Sequence, residues 1–244
     1  MIDKKMPMGR AVLEHNQLLP LLTRFNIRLG FGEMSVEEVC QTHGVNPDFF
    51  LEIVNAYLDK GSHLMDELSH FSLEDMVAYL KATHSYYLNV ALPRMQKKIN
   101  SLLDQSELSR KEINLVSGFF NDYKQDFMDH ISLEEKEILP YILELEKQAL
   151  QNTPDSWFIE RLRNYSISEF ANKHDRLEYS LENLSKLIIK YLPPFRDQEL
   201  CVGVLRDLAE LVKDLIDHAD MEDKVLIPRV AELEQQLVHK AGIS

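Results

Sequence analysis

Two stretches of the chain repeat one set of side chains able to bind a metal ion. The first contains Asp126, Asp129, His130, Glu134, Lys136 and Pro140. The second, 88 residues on (130 to 218), contains Asp214, Asp217, His218, Glu222, Lys224 and Pro228 at the same spacings. On a helix, residues four apart lie one turn above each other on the same face, so His130 points with Glu134 and His218 with Glu222. A lone histidine precedes each window: His84 stands 46 residues before His130, and His174 stands 44 before His218. One histidine on a buried helix face is more often a hydrogen-bonded core residue, and one His-x-x-x-Glu pair is often a surface contact. Repetition of both features in each half points instead to ligation. If the helices that carry them share a core, His84, His130, Glu134, His174, His218 and Glu222 converge there.

Four imidazoles and two carboxylates oversupply a tetrahedral zinc site. Calcium and magnesium prefer oxygen ligands, which four imidazoles do not offer. Two octahedral irons, bridged by Glu134 and Glu222 and each held by two histidines, use every ligand and leave open positions. Those positions suit an oxo or hydroxo bridge, O2, NO or another small molecule. Manganese fits the same ligand types. Two metal ions also remove the cost of burying two carboxylates. Asp126 and Asp214 fall one turn before the motif histidines, where they either orient imidazoles or form a solvated acidic stripe. Asp129 and Asp217 point elsewhere and suit surface pairing with lysine. Tyr86, Tyr87 and Phe127 read as core packing that keeps the site dry. His15, His43, His63, His70 and His239 lack such pairing and read as surface or local residues.

The elements that must position these groups are helices. Glycine is scarce, at 8 residues in 244, and no Val/Ile/Thr alternation of strand period occurs. From Ser72 onward the apolar spacing is helical and long. It predicts helices over 72–103, 109–148, 166–191 and 197–237, with a shorter piece over 154–163 and the third ending at Pro193-Pro194. Four long amphipathic helices with short connections predict an all-α, up-down-up-down four-helix bundle over 72–240. Before it, residues 1–61 read as a small helical domain. One helix is expected over Met8–Thr23. A second starts at Ser35, with Glu38 at capping-box spacing, and ends near Gly44. A third runs from Pro47 to about Asp59. The stretch from Gly61 to Phe71 reads as a linker.

Charge narrows the functions. A formal net charge of -13 repels phosphate backbones, and residues 1–60 hold six Lys/Arg against eight Asp/Glu, so nucleic-acid binding is not expected. No segment approaches the ~18 uninterrupted apolar residues of a membrane span. The opening residues lack the apolar run of a signal peptide, and the two cysteines, Cys40 and Cys201, imply no disulfide framework. The expected setting is cytoplasmic, with monomer and homodimer both open.

His130-x3-Glu134-Glu135-x4-Pro140 and His218-x3-Glu222-Asp223-x4-Pro228 resemble the paired motif of hemerythrin-like cation-binding domains. With one lone histidine before each copy, the set resembles the iron–sulfur cluster repair di-iron proteins over about residues 72–235. Oxygen-carrying hemerythrins use a fifth histidine; here Glu178, not a histidine, stands four residues after His174. The stretch Leu19–Gly32, with Ser35–Cys40 and Gly44-Val-Asn-Pro, is similar to the small helical domain that precedes the bundle in repair proteins. In that family two adjacent cysteines sit just before the glycine; here Gly30 and Phe31 occupy their places.

The resemblance implies a non-haem, carboxylate-bridged di-iron protein of stress defence. It would restore iron–sulfur clusters damaged by NO or peroxide, with those damaged proteins as partners, by supplying or exchanging iron. The alternative is a hemerythrin-like sensor or scavenger that binds O2 or NO, which the missing cysteine pair favours. Turnover of NO or peroxide at the open positions would make the protein an enzyme.

Overall fold

Short polar side chains set the helix starts in the computed structural model, which describes residues 1–59, 71–151, 154–168 and 178–240. Ser35 Oγ accepts from the Glu38 N–H while Glu38 Oε2 accepts from the Ser35 N–H at 2.8 Å, closing the expected capping box. Ser109 and Glu112 form a second box. Ser72 Oγ accepts from the Asp75 N–H at 3.0 Å. Asn46 Oδ1 accepts from the Asp48 N–H at 3.0 Å, ahead of a helix that opens on Pro47.

The helices are α1 (Met8–Glu14), α2 (Leu19–Arg24), α3 (Val36–Thr42), α4 (Pro47–Asp59), α5 (Leu73–Tyr86), α6 (Leu92–Asp104), α7 (Arg110–Leu133), α8 (Leu139–Leu150), α9 (Ser156–Asn164), α10 (Glu178–Lys190), α11 (Gln198–Met221) and α12 (Ile227–Lys240). No strand occurs among the described residues; the only pairing of that kind is an isolated bridge between Pro7 and Ser35. No described helix is long and apolar enough to cross a membrane. The helix expected over Met8–Thr23 breaks at His15 (φ −135, ψ 74). Pro20 would clash with the carbonyl one turn earlier inside a continuous helix, and the restart at Leu19 puts it in a first turn instead. Residues 169–177 of the helix expected over 166–191, and residues 60–70 of the expected linker, lie outside the described residues.

Three of the long runs contain a widened π turn: Tyr87–Ala91 between α5 and α6, Glu134–Ile138 between α7 and α8, and Glu222–Leu226 between α11 and α12. Each ends two residues before a proline, namely Pro93, Pro140 and Pro228. A proline ring inside an α-helix meets the carbonyl four residues back and offers no N–H to it. A turn bonded from residue i to i+5 opens the backbone at that spot and relieves the clash. The Leu139 N–H accordingly bonds the Glu134 carbonyl, and the Ile227 N–H bonds that of Glu222.

By packing, the chain forms two units. One comprises Met1–Tyr86, Tyr141–Ser168 and Met221–Ser244; the other comprises Tyr87–Pro140 and Glu169–Asp220. In the first, Phe25 packs its ring 5.0 Å from Phe50 and 5.1 Å from Tyr79, so the N-terminal helices share a core with α5. Arg24 is buried, with its guanidinium 5.2 Å from the Tyr86 ring and Nη1 3.4 Å from the Tyr79 hydroxyl. Glu146 of α8 accepts from the first backbone N–H groups of α5, Leu73 at 2.8 Å and Glu74 at 3.2 Å. That carboxylate caps a helix start it does not belong to. Glu234 of α12, also buried, accepts from Tyr141 Oη at 2.5 Å, Ser166 Oγ at 3.0 Å and the Ile167 N–H at 2.9 Å. Burial and this bond hold the Tyr141 hydroxyl well above its ordinary pKa.

In the second unit, Phe120, Tyr123 and Phe127 of α7 stack along one face, with Tyr123 and Phe127 centroids 5.9 Å apart. Leu181 and Leu184 of α10 and Val204 and Leu208 of α11 are fully buried. Lys98 of α6 pairs with the nearly buried carboxylate of Asp207.

Candidate metal centre

The π turns and their prolines flank the residues that could do chemistry. Glu134 and Glu222 each open a π turn immediately after a 24-residue helix, α7 or α11. The structural repeat therefore keeps the spacing of the sequence repeat through helix, π turn and second helix. His218 lies in the last turn of α11, and His84 lies in the last turn of α5.

His84, Glu134, His218 and Glu222 each offer one ligand atom, and these four atoms all lie within 4.8 Å of one another. His84, Glu134 and Glu222 are 0%, 2% and 3% exposed; His218 is half-buried. Both carboxylate oxygens of Glu134, Oε2 of Glu222 and Nδ1 of His218 are sealed from solvent. Nitrogen and oxygen ligands stand ~2.0–2.2 Å from a transition metal, so ligands of one ion lie up to about 4.4 Å apart, and a group whose atoms lie within 4.8 Å of one another is on the scale of a metal site. Two imidazoles and two buried carboxylates suit a transition metal and ill suit calcium or magnesium. The two carboxylates repel each other, and a cation bound by both offsets that repulsion and their lost hydration. The group could hold a metal ion.

The other expected ligands stand differently. His130 Nε2 lies 3.1 Å from Glu134 Oε1, so the motif pair does point together, as i,i+4 spacing requires. His130 is outside the tight group of four and is 17% exposed at its side chain. His174 lies outside the described residues, as do His63 and His70. Asp126 is exposed, as a solvated acid would be, whereas Asp214 is half-buried. Asp217 pairs with Lys213 one turn earlier at 2.5 Å, the surface role expected for it. His43 bonds locally to the Val39 carbonyl at 2.8 Å.

Tyr87 and Phe127 are core residues, fully and nearly buried. Tyr87 also has a place the sequence did not reveal: its ring stands edge-on to His218, centroids 5.6 Å apart at 88°. Its partner on α11 is more than a hundred positions away, so no local pattern announces the contact. The π turns went unforeseen as well, although Pro93, Pro140 and Pro228 inside long helical patterns were their visible signal. Cys40 is fully buried, and burial pushes its thiol up to about 12. It therefore supplies no thiolate near neutral pH. Cys201 is raised for the same reason.

Compared with known proteins, the chain matches no family model and no curated protein. Residues and geometry carry the functional reading.

Proposed function

We propose that the chain is a non-haem di-iron protein, a hemerythrin-like four-helix bundle of the iron–sulfur cluster repair type, which restores stress-damaged clusters by supplying iron. The observation that carries this reading is the convergence of His84, Glu134, His218 and Glu222 from three helical runs into one buried group. The repeat supports the dinuclear form, because each half brings the same His-x-x-x-Glu pair and the same π turn.

In this reading Glu134, Glu222, His84, His130, His174 and His218 would hold two ions between them. Iron bound there supplies a redox-active centre with open positions and a source of iron for a damaged cluster. The chain's own residues do the rest. Glu134 and Glu222 would offset part of the ions' charge and, as flexible carboxylates, would let iron exchange without dismantling the helices. The apolar ring of Tyr87 and Phe127 limits water at the site. The test is restoration of activity to a cluster enzyme inactivated by NO. The wild-type chain should restore it and Glu134→Leu should not; equal restoration by the two sinks the proposal.

A second reading is favoured by one observation: Gly30 and Phe31 stand where the repair family has its cysteine pair, and the nearby Cys40 thiol is buried and held near 12. On that basis the same centre would bind O2 or NO as a sensor or scavenger. A reversible spectral change on exposure to gas, with iron retained and no cluster restoration, selects this reading over the first.

A further inference from the structure

We propose that Tyr87 is a positioning residue for His218, holding that imidazole in its ligating orientation from a separate helical run. The proposal rests on the reading of His218 as a metal ligand and adds to it the residue that sets the ligand's geometry.

Tyr87 opens the π turn three residues after His84 and is fully buried. Its ring meets the His218 imidazole perpendicularly, at 5.6 Å and 88°. Its hydroxyl donates to the main-chain carbonyl of Asp214 at 3.1 Å. Asp214 lies one helical turn before His218, so that carbonyl belongs to the peptide that receives the His218 N–H in an α-helix. One side chain thus touches both the ring of His218 and the turn that carries it. Phe127 backs the tyrosine from α7, with centroids 5.7 Å apart at 74°, so Tyr87 cannot swing away without opening the core.

A histidine side chain rotates about two bonds, and an ion captures it in one narrow setting. Every competing rotamer that a neighbour forbids beforehand is entropy the ion need not remove on binding. Groups that orient metal-bound imidazoles typically change metal affinity by ~10–100-fold when removed. Such groups usually act by accepting the imidazole N–H. Tyr87 acts by ring packing and by clamping the backbone, so its two contributions can be removed separately.

The test compares Tyr87→Phe and Tyr87→Leu with the wild-type full chain by anaerobic Fe(II) titration. His218 ring resonances, assigned with His218→Gln, are followed by NMR without metal. Tyr87→Leu should weaken Fe(II) binding by ~10–100-fold. Tyr87→Phe, which keeps the ring and loses only the hydroxyl, should weaken it by roughly 2- to 10-fold. The His218 ring signals should move in Tyr87→Leu and stay near their wild-type positions in Tyr87→Phe. Tyr141→Phe is the control for generic loss of a buried hydroxyl, since Tyr141 bonds Glu234 instead; it should leave Fe(II) affinity unchanged. Fe(II) affinity equal to wild type in both Tyr87 variants overturns the proposal, as does an equal loss in Tyr141→Phe. If Tyr87→Leu does not fold, Tyr87→Phe decides alone. If the wild-type chain binds no Fe(II), the di-iron reading fails by itself, and unmoved His218 signals in Tyr87→Leu then overturn the positioning role independently.

Discussion

Replacing Glu134 with leucine should change the sign of one effect and abolish another. Glu134 is 2% exposed and both its carboxylate oxygens are sealed from solvent. Without a bound cation, such a carboxylate beside Glu222 destabilises the fold. Exchanging a buried ion pair for well-packed apolar volume often stabilises by about 1–4 kcal/mol, and the same range is expected for a buried carboxylate whose partner can reach water. His130, which loses its 3.1 Å contact, is 17% exposed and can turn to water. Unfolding entropy is about 2.1 cal/mol/K per residue, or about 0.5 kcal/mol/K for 244 residues. The metal-free variant should therefore melt roughly 2–8 °C above the metal-free wild type. Adding Fe(II) at about 1,000 times its dissociation constant should stabilise the wild type by about 4 kcal/mol, a rise of roughly 8 °C. The variant should show almost none of this rise. Anaerobic thermal melts with chelator and with Fe(II) measure all four values, and the two pairs should cross. A variant that melts lower without metal and still gains the full rise with Fe(II) would refute the assignment of Glu134 as a ligand.

Other predictions follow from single contacts. Pro140→Ala removes the ring that the π turn at Glu134–Ile138 accommodates; α-helical bonding can then close over that turn and re-aim Glu134, weakening Fe(II) binding by ~10-fold or more while the chain stays folded, as titration and circular dichroism would show. Glu234→Leu strands three donors, Tyr141 Oη, Ser166 Oγ and the Ile167 N–H, and should cost roughly 3–5 kcal/mol in urea unfolding, against about 1 kcal/mol for Tyr141→Phe. Cys40 should resist thiol reagents in the folded chain at pH 8 and react on unfolding. Because burial raises its thiol from 9.0 to about 12, the folded chain keeps a proton that the unfolded chain releases; its contribution to stability is intact below pH 9 and declines as pH rises toward 12, measurable as a urea midpoint that falls more steeply with pH in the wild type than in Cys40→Ala.

Much of the site was legible because its signals are local. The His-x-x-x-Glu spacing fixes a shared face within one turn, and two copies 88 residues apart gave the pairing that α7 and α11 then carry over matching lengths. Helix starts at Ser35, Pro47 and Ser72 were readable from the capping chemistry of a few adjacent residues. The break at His15 was not, because apolar spacing continues through it and only Pro20 argues for a restart. Nor were the π turns: an i to i+5 bond has no residue preference of its own, and an isolated proline signals a disturbance without saying which kind. The contacts of Tyr87 with α11 and of Glu146 with the start of α5 depend on helix packing, which spacing along one helix does not encode. His130 is close to Glu134 but outside the group of four, since i,i+4 geometry sets direction and leaves the distance to a common centre free.

The measurement that bears most directly on the account is the metal content of the chain after anaerobic loading with Fe(II) and removal of loose ions, followed by an absorption spectrum in air. The account predicts about two irons per chain, with near-ultraviolet bands of an oxo-bridged pair that disappear in Glu222→Leu. A chain that emerges without iron, or with the same iron content after Glu222 is replaced, would contradict it.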